Sequence, residues 1–288
     1  MRRAIDPLTS ICLEDLLDSL GAAARSRVWL RPLFRAAAQR FARTVRAFDD
    51  RVGAAGLAAG SQWLVQHMAG GIRVTGRSRV PSRGPLLVLA NHPGMTDTVA
   101  LFASLAARAD LRVIAQDRPF LRALPNLAAS ILFVADDGAS RTRVVRDGVK
   151  HLRQGGALLS FPAGRIEPDP AAAGAGPAAT SLQDWSASFA LFARAVPQTH
   201  ILTAIVSQVV SAAAARHPLT RIRHSAADRD RLAATLQILW RPYRRLPACV
   251  AFGTPQRATG HGADGLRRAV VAQARMLMAT PMLADGDA

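Results

Sequence analysis

The stretch Leu86-Leu87-Val88-Leu89-Ala90-Asn91-His92-Pro93-Gly94-Met95-Thr96-Asp97 decides how the rest of the chain is read. Five apolar residues follow Gly84-Pro85 and read as a short strand buried on both faces, with Asn91-His92 where that strand ends. Open α/β sheets place their chemistry at strand ends. His92 and Asp97 flank a Pro-Gly turn that runs into the apolar-periodic segment Thr98–Ala107. A helix beginning near Thr96 would fold the Asp97 carboxylate back toward the imidazole, and a neutral imidazole held in one tautomer by a carboxylate is a general base near neutral pH. A histidine closing a strand and an aspartate capping a helix give the same spacing with no chemistry attached.

A second apolar strand downstream, in Ala157-Leu158-Leu159-Ser160-Phe161-Pro162-Ala163-Gly164-Arg165, runs into Phe-Pro-x-Gly. In that order, the two blocks resemble the first and third signature blocks of the glycerolipid acyltransferases related to lysophosphatidate acyltransferase. The first block there is a buried strand leading into Asn-His and then Asp, and the third is Phe-Pro-Glu-Gly-Thr-Arg. The resemblance implies an O-acyltransferase that moves a fatty acyl chain from acyl-CoA or acyl carrier protein to a lysolipid hydroxyl in phospholipid or related lipid biosynthesis. It makes His92 the base and Asp97 its orienting carboxylate, with no cofactor and no metal. Asn91, Phe161, Pro162, Gly164, Arg165 and Glu167 are the candidates to bind substrate. Ala163 stands where the family carries Glu, and Arg165 follows the glycine directly, with Glu167 two residues farther on. Glu167 is a candidate replacement for the missing acid. These departures loosen the link to a glycerol-phosphate acceptor and admit an aminolipid or another lysolipid.

The physics of the second block agrees with such a role. Gly164 lets backbone approach a ligand, and Arg165 can bind a phosphate or developing negative charge. The family's second block falls near Arg118-Pro119-Phe120 and Phe133–Asp137, with Arg141 and Arg143 as basic candidates, although Asp136 or Asp137 reads equally as a helix cap. Trp185-Ser186-Ala187-Ser188 stands in place of the fourth block, and core packing is the favoured role for Trp185.

The chain has 288 residues and a net charge of +17, with Lys150 the only lysine among 37 basic residues. That charge attracts anionic surfaces, whether phospholipid headgroups or nucleic acid. Aromatic residues are few and do not interleave with the basic ones, which argues against specific nucleic-acid recognition. Cys12 and Cys249 lack metal, redox or disulfide spacing, which suits a reducing cytoplasm. Glu14, Asp15 and Asp18 interrupt any signal-peptide core after Met1-Arg2-Arg3. The most apolar long window, Val52–Ile72, holds Gln62, Gln66, His67 and five glycines and falls short of a membrane span. The expected location is the cytoplasm, peripheral on the inner membrane face.

Taken in order, Ser26–Val52 places Leu30, Leu33, Phe34, Ala37, Phe41, Val45 and Phe48 at helical spacing, opposite Arg27, Arg31, Arg35, Arg40, Arg43 and Arg46. Such a helix lies in a membrane interface or packs on the protein's own core. Trp29 and Trp63 are interfacial anchors or core residues. Residues 1–76 are therefore read as an N-terminal helical, membrane-surface segment, with Ile72–Gly76 an edge-like strand, and 77–288 as the acyltransferase domain. From Leu86 strands alternate with helices: helix Thr96–Arg108, strand Leu111–Ala115, an apolar helix around Pro119–Ala129, strand Ile131–Ala135, helix Arg141–Gln154 and strand Ala157–Phe161. The pattern predicts an α/β fold with a mostly parallel sheet flanked by helices. Residues Glu167–Pro177 read as a low-complexity loop too flexible to pack, serving as a lid or a surface insertion. Helix Ser186–Val196, strand Ile201–Val206, a basic stretch His217–Arg231, helix Asp228–Trp240, strand Ala248–Gly253 and a helix near Asp264–Met278 complete it.

Serine-hydrolase, P-loop and zinc-protease motifs are absent from the sequence, and His67, His151, His200, His217, His224 and His261 show no ligand spacing. The remaining alternative is a non-catalytic basic protein of the same fold that binds anionic lipid surfaces.

Overall fold

The computed structural model describes residues 6–21, 29–257 and 262–280. Arg27, the start of the amphipathic segment at Ser26, the residues before Asp6 and His261 lie outside them. The described helices are α1 Pro7–Leu20, α2 Leu30–Ala55, α3 Leu57–Met68, α4 Met95–Ser104, α5 Pro119–Arg122, α6 Pro125–Ala128, α7 Gly138–Arg153, α8 Pro170–Ala173, α9 Ala175–Ser181, α10 Ala190–Ala195, α11 Ala212–Ala215, α12 Ala226–Leu239 and α13 Ala263–Ala279. The strands are β1 Ile72–Thr75, β2 Leu86–Ala90, β3 Leu111–Gln116, β4 Ile131–Val134, β5 Ala157–Ser160, β6 His200–Ser207, β7 Ala248–Phe252 and β8 Gln256–Arg257.

The sheet runs β1-β7-β6-β2-β5-β3-β4, with β8 also on β6. Every neighbouring pair is parallel except β6 with β7 and with β8. The expected mostly parallel α/β sheet is therefore what the chain forms, with β1 and β7 at one edge running together in the direction opposite to β6. Strand 72–75 lies on the N-terminal side of the expected boundary, yet it pairs with β7 from Ile72↔Ala248 to Thr75↔Ala251 and so is part of the sheet. As read, it is an edge strand, and its single partner comes near the other end of the sequence.

Strand β2 is central and buried throughout, so consecutive side chains must find apolar cover on opposite sides. Leu86, Val88 and Ala90 pack with α1, α2, α3 and α4 residues such as Leu17, Phe48, Val65 and Leu101. Leu87 and Leu89 pack on the other face with Leu152, Trp185, Phe192, Leu266 and Val270. The N-terminal helices are thus the cover of one sheet face. In α2 the buried stripe is Ala38, Ala42, Val45, Phe48 and Val52, with Phe34 and Phe41 beside it. Leu33, expected on that stripe, is exposed, since it lies a residue off the line that Phe34, Ala38 and Phe41 define. Trp63 packs partly against the core and carries the Arg51 guanidinium 4.0 Å above its ring.

Two expectations about local structure are corrected. The apolar helix over Pro119–Ala129 is two short helices, because the residue before Pro125 is pushed off helical geometry, to φ −118° and ψ 82° at Leu124. The freed amides at the start of α6 bond the buried Asp49 carboxylate of α2, with Leu127 N–H at 2.8 Å. The second correction is Glu167–Pro177, which is anchored at its start: Glu167 and Asp169 are buried, and α8 and α9 follow them with Ala171–Gly174 exposed. Proline and alanine composition suggested a loop too flexible to pack, but two carboxylates supply acceptors that fasten its start to its surroundings.

Candidate active site

Parallel strands deliver their carboxyl ends to one edge, and β5, β2 and β6 are adjacent. Asn91-His92 leaves β2, Phe161-Pro162 leaves β5 and Gln208-Val209-Val210 leaves β6, so three segments far apart in sequence meet at one place.

His92 is about three-tenths exposed at the side chain, and its Nδ1 lies 2.8 Å from Asp97 Oδ2. The turn Pro93-Gly94 returns the chain so that Asp97, fully buried in the first turn of α4, points back at the imidazole. Its Oδ2 also accepts the Gly94 N–H at 2.8 Å, and its Oδ1 accepts the Thr98 N–H and, at 2.9 Å, the Thr98 hydroxyl. An acceptor at Nδ1 selects the tautomer that bears its proton there and leaves Nε2 basic. No hydrogen bond occupies Nε2 among the described residues. Burial works to lower the His92 pKa, but the charge and hydrogen bond of Asp97 and the charge of Glu167 outweigh it, against opposition from Arg118, and hold it above its ordinary 6.5.

The second block is distributed around that imidazole. The Phe161 ring lies 4.6 Å from the His92 ring, centroid to centroid, and so forms a wall of the site. Pro162 is buried, and its carbonyl accepts the Ser186 N–H at 3.0 Å. Gly164 adopts the left-handed backbone at φ 63°, with open space on the side where a Cβ would stand. Arg165 is exposed and ion-paired with Asp184.

Two residues expected to touch substrate are turned elsewhere. Asn91 is fully buried; its amide donates to Val206 O at 2.9 Å and accepts the Val206 N–H at 2.7 Å, continuing the β2–β6 ladder with a side chain in place of a peptide. Glu167 is also buried, and its Oε2 accepts the His92 backbone N–H at 3.0 Å while its own N–H donates to His92 O at 2.8 Å. Its Oε1 accepts Trp185 Nε1–H at 2.8 Å and lies 3.1 Å from the Ser181 hydroxyl. Burial pushes the Glu167 carboxyl above its usual range, and the donors from Trp185, His92 and Ser181 hold it down in part. Glu167 therefore braces the backbone that carries the base. Trp185 is core, as favoured, and is also the far end of this brace.

Asp169 escaped the sequence reading. Its carboxylate accepts the backbone N–H groups of Ala171 at 2.9 Å, Gln208 at 3.0 Å, Val209 at 2.8 Å and Val210 at 3.0 Å, which fixes the segment after β6. The alternation Glu167-Pro168-Asp169-Pro170, acids between two rigid prolines, was the available signal. In the second-block region, Asp137 caps α7 by accepting the Ser140 N–H at 2.7 Å, and Arg141 reaches back to Asp136 O. The cap accounts for Asp137.

A cavity of 60 Å³ lies beside the dyad between Pro93, Asp169, Ala173, Val210 and Asp230. A larger one of 240 Å³, between Arg112, Leu132, Lys150 and His151, sits at the starting ends of β3 and β4, away from the imidazole. Size does not identify the site here; the convergent polar groups at the carboxyl ends do. Among the described residues no three His, Cys, Asp or Glu side chains gather as metal ligands.

No curated protein matches the chain. Among solved structures, the 1-acyl-sn-glycerophosphate (LPA) acyltransferase PlsC from Thermotoga maritima is similar, at 12% identity and TM-score 0.47, covering 84% of this chain and 95% of that one. Residues 71–207 match the family model described as Acyltransferase, a span that takes in β1 through β6, His92, Asp97 and the whole Phe161–Glu167 block. Over that span, a little under half of its length, the chain is similar to the acyltransferase family.

Proposed function

We propose that the protein is an acyltransferase that works at a membrane surface and transfers a fatty acyl chain from acyl-CoA or acyl carrier protein to the hydroxyl of a lysolipid. The observation that carries the reading is the His92–Asp97 pair with Nε2 open at the carboxyl edge of the sheet. In the reaction Nε2 removes the acceptor hydroxyl's proton as its oxygen attacks the thioester carbonyl. The C–O bond forms, the tetrahedral intermediate expels the thiolate, and the imidazolium returns the proton to sulfur. Asp97 stabilises the imidazolium in between, and no acyl-enzyme is needed.

Arg165 and the left-handed Gly164 backbone are placed to meet the charged part of a substrate, with Asp184 as the ion-pair partner that an anionic group would displace. Phe161 packs beside the reacting atoms and keeps water from the imidazole's flank. In this reading the site works on the cytoplasmic face of the membrane; among the described residues no helix is long and apolar enough to cross a bilayer. The intact dyad favours this reading over a non-catalytic lipid-binding protein.

The test is mass-spectrometric detection of products when purified protein receives acyl-CoA or acyl carrier protein together with lysophosphatidate, lysophospholipids or lyso-aminolipids. An acylated product that disappears in His92→Ala supports the reaction and names the acceptor. Full activity in His92→Ala, or no product from any pair, would remove it.

A further inference from the structure

Eight large apolar side chains are exposed among the described residues, and five of them lie on elements that α1 joins. Leu219 and Ile222 are 40% and 52% exposed, Trp240 is 48%, and Trp29 and Leu33 are 62% and 69%. Leu219 and Ile222 lie in the 3₁₀ turn Pro218–Ile222, where side chains three apart stand on the same side. Thr220 of that turn faces inward, its hydroxyl bonded to Ala215 O at 3.0 Å and His217 O at 2.8 Å. His217 joins the turn to the end of α12: its Nδ1 accepts the Leu219 N–H at 3.2 Å, and its ring lies 5.4 Å from Trp240 and 6.3 Å from Tyr243.

Helix α1 ties this cluster to the second one. Gly21, at the end of α1, sits directly against the Arg223 guanidinium that follows the 3₁₀ turn. Glu14 of α1 holds Arg31, which stands between Trp29 and Leu33 in sequence. Helix α12 also borders the catalytic edge, because its Asp230 and the Ala215 before the basic turn line the same 60 Å³ cavity as Pro93. Exposed Arg35, Arg216 and Arg221 lie within three residues of the apolar ones in sequence. Residues 212–245 fall outside the family match at 71–207.

We propose that Leu219, Ile222 and Trp240, together with Trp29 and Leu33, form the face by which the protein docks on an anionic bilayer, with the arginines on lipid phosphates. The proposal rests on the lipid-acyltransferase reading for its purpose. Tryptophan and branched apolar side chains with exposed arginines close by in sequence match the boundary between acyl chains and headgroups. Arginines alone would suit an acidic protein as well; five exposed apolar side chains, two of them tryptophan, are what a bilayer takes up. Docking there would place the mouth at His92 beside the membrane, where a lysolipid enters without leaving it.

The full chain is tested by co-sedimentation with phosphatidylglycerol and phosphatidylcholine vesicles. Replacing Leu219, Ile222 and Trp240 with serine is expected to weaken phosphatidylglycerol binding at least about tenfold. Transfer to a water-dispersed short-chain acceptor stays as in the wild type. Ile222→Cys carrying an environment-sensitive fluorophore is the independent readout, since Cys12 and Cys249 are buried and leave the new thiol as the reactive one. Its emission is expected to rise and shift to the blue on phosphatidylglycerol vesicles and to be quenched by brominated lipid. Undiminished vesicle binding by the triple variant, or a label at 222 that is silent while the protein sediments with vesicles, would overturn the proposal. So would a triple variant that keeps vesicle binding and loses only the rate with acyl carrier protein. Vesicle binding needs no turnover, so a protein that docks through Ile222 yet acylates nothing would refute the enzymatic reading and leave the face standing.

Discussion

Glu167 and His92 are bonded reciprocally through their main chains, His92 N–H to the Glu167 carboxylate at 3.0 Å and Glu167 N–H to His92 O at 2.8 Å. The carboxylate thus holds the base from behind, and the imidazole feels its charge without touching it.

Glu167→Gln keeps the size of the side chain and removes the charge. Loss of a nearby negative charge makes the imidazolium less stable, so the acidic limb of the kcat/KM profile moves to lower pH. The amide also presents an N–H where His92 N–H needs an acceptor, and kcat falls about tenfold or more. An acidic limb at the wild-type position would show that Glu167 is only a structural brace.

Asp97→Asn takes away the group that orients the imidazole and stabilises its charge. A loss in kcat on the order of 10³-fold or more is expected, with KM little changed. The pair also couples to stability. His92 binds its proton more readily when folded, so its contribution is complete below about pH 6.5 and is lost as pH rises through the higher folded value. Denaturant unfolding of wild type and Asp97→Asn should therefore differ more at low than at high pH, and a difference independent of pH would contradict the coupling.

Asp169→Ala strips the acceptor from four buried or partly buried backbone N–H groups. Leaving such donors without partners costs about 3–5 kcal/mol in all, read as a lower urea midpoint at unchanged slope. A loss below about 1 kcal/mol would show that the segment after β6 holds itself.

Asn91→Ala opens the extension of the β2–β6 ladder and should cost about 2 kcal/mol of stability, since Val206 N–H and C=O lose their partners in a dry interior. With Asn91 away from substrate, KM should be unaffected; a large rise in KM with little loss of stability would return Asn91 to the substrate site.

Cys12 and Cys249 should not react with a thiol reagent in the folded protein and should both react once it is unfolded. Burial, with Asp15 and Asp6 nearby, pushes the Cys12 thiol up to about 12, and burial raises Cys249 as well. Prompt modification of the native protein would show the interior to be open on the time scale of labelling.

The sheet and the dyad could be read before the structure because both are local in sequence. Leu86–Ala90 is apolar at every position, which only a strand covered on both faces tolerates, and His92 and Asp97 need just one turn between them to meet. What escaped reading depends on partners far along the chain. The meaning of Glu167 lies in Trp185 and the His92 backbone, that of Asp169 in Gln208–Val210, and that of Asn91 in Val206. Local pattern assigned those three polar side chains to substrate or solvent, whereas each satisfies backbone or indole donors inside the fold. The helix α2 was ambiguous for a related reason: an amphipathic stripe is the same sequence whether a sheet or a bilayer covers it.

The position of β7 between β1 and β6 has a consequence for the order in which the protein is made. β1 leaves the ribosome early, but its hydrogen-bonding partner begins at Ala248, after the whole stretch from β2 to β6 has been synthesised. Until then both β1 and the free side of β6 are unpaired edges, the kind of surface that neighbouring nascent chains and chaperones recognise. Assembly therefore ends with the strand that came first, and premature termination anywhere before β7 releases a chain whose sheet is open in its middle.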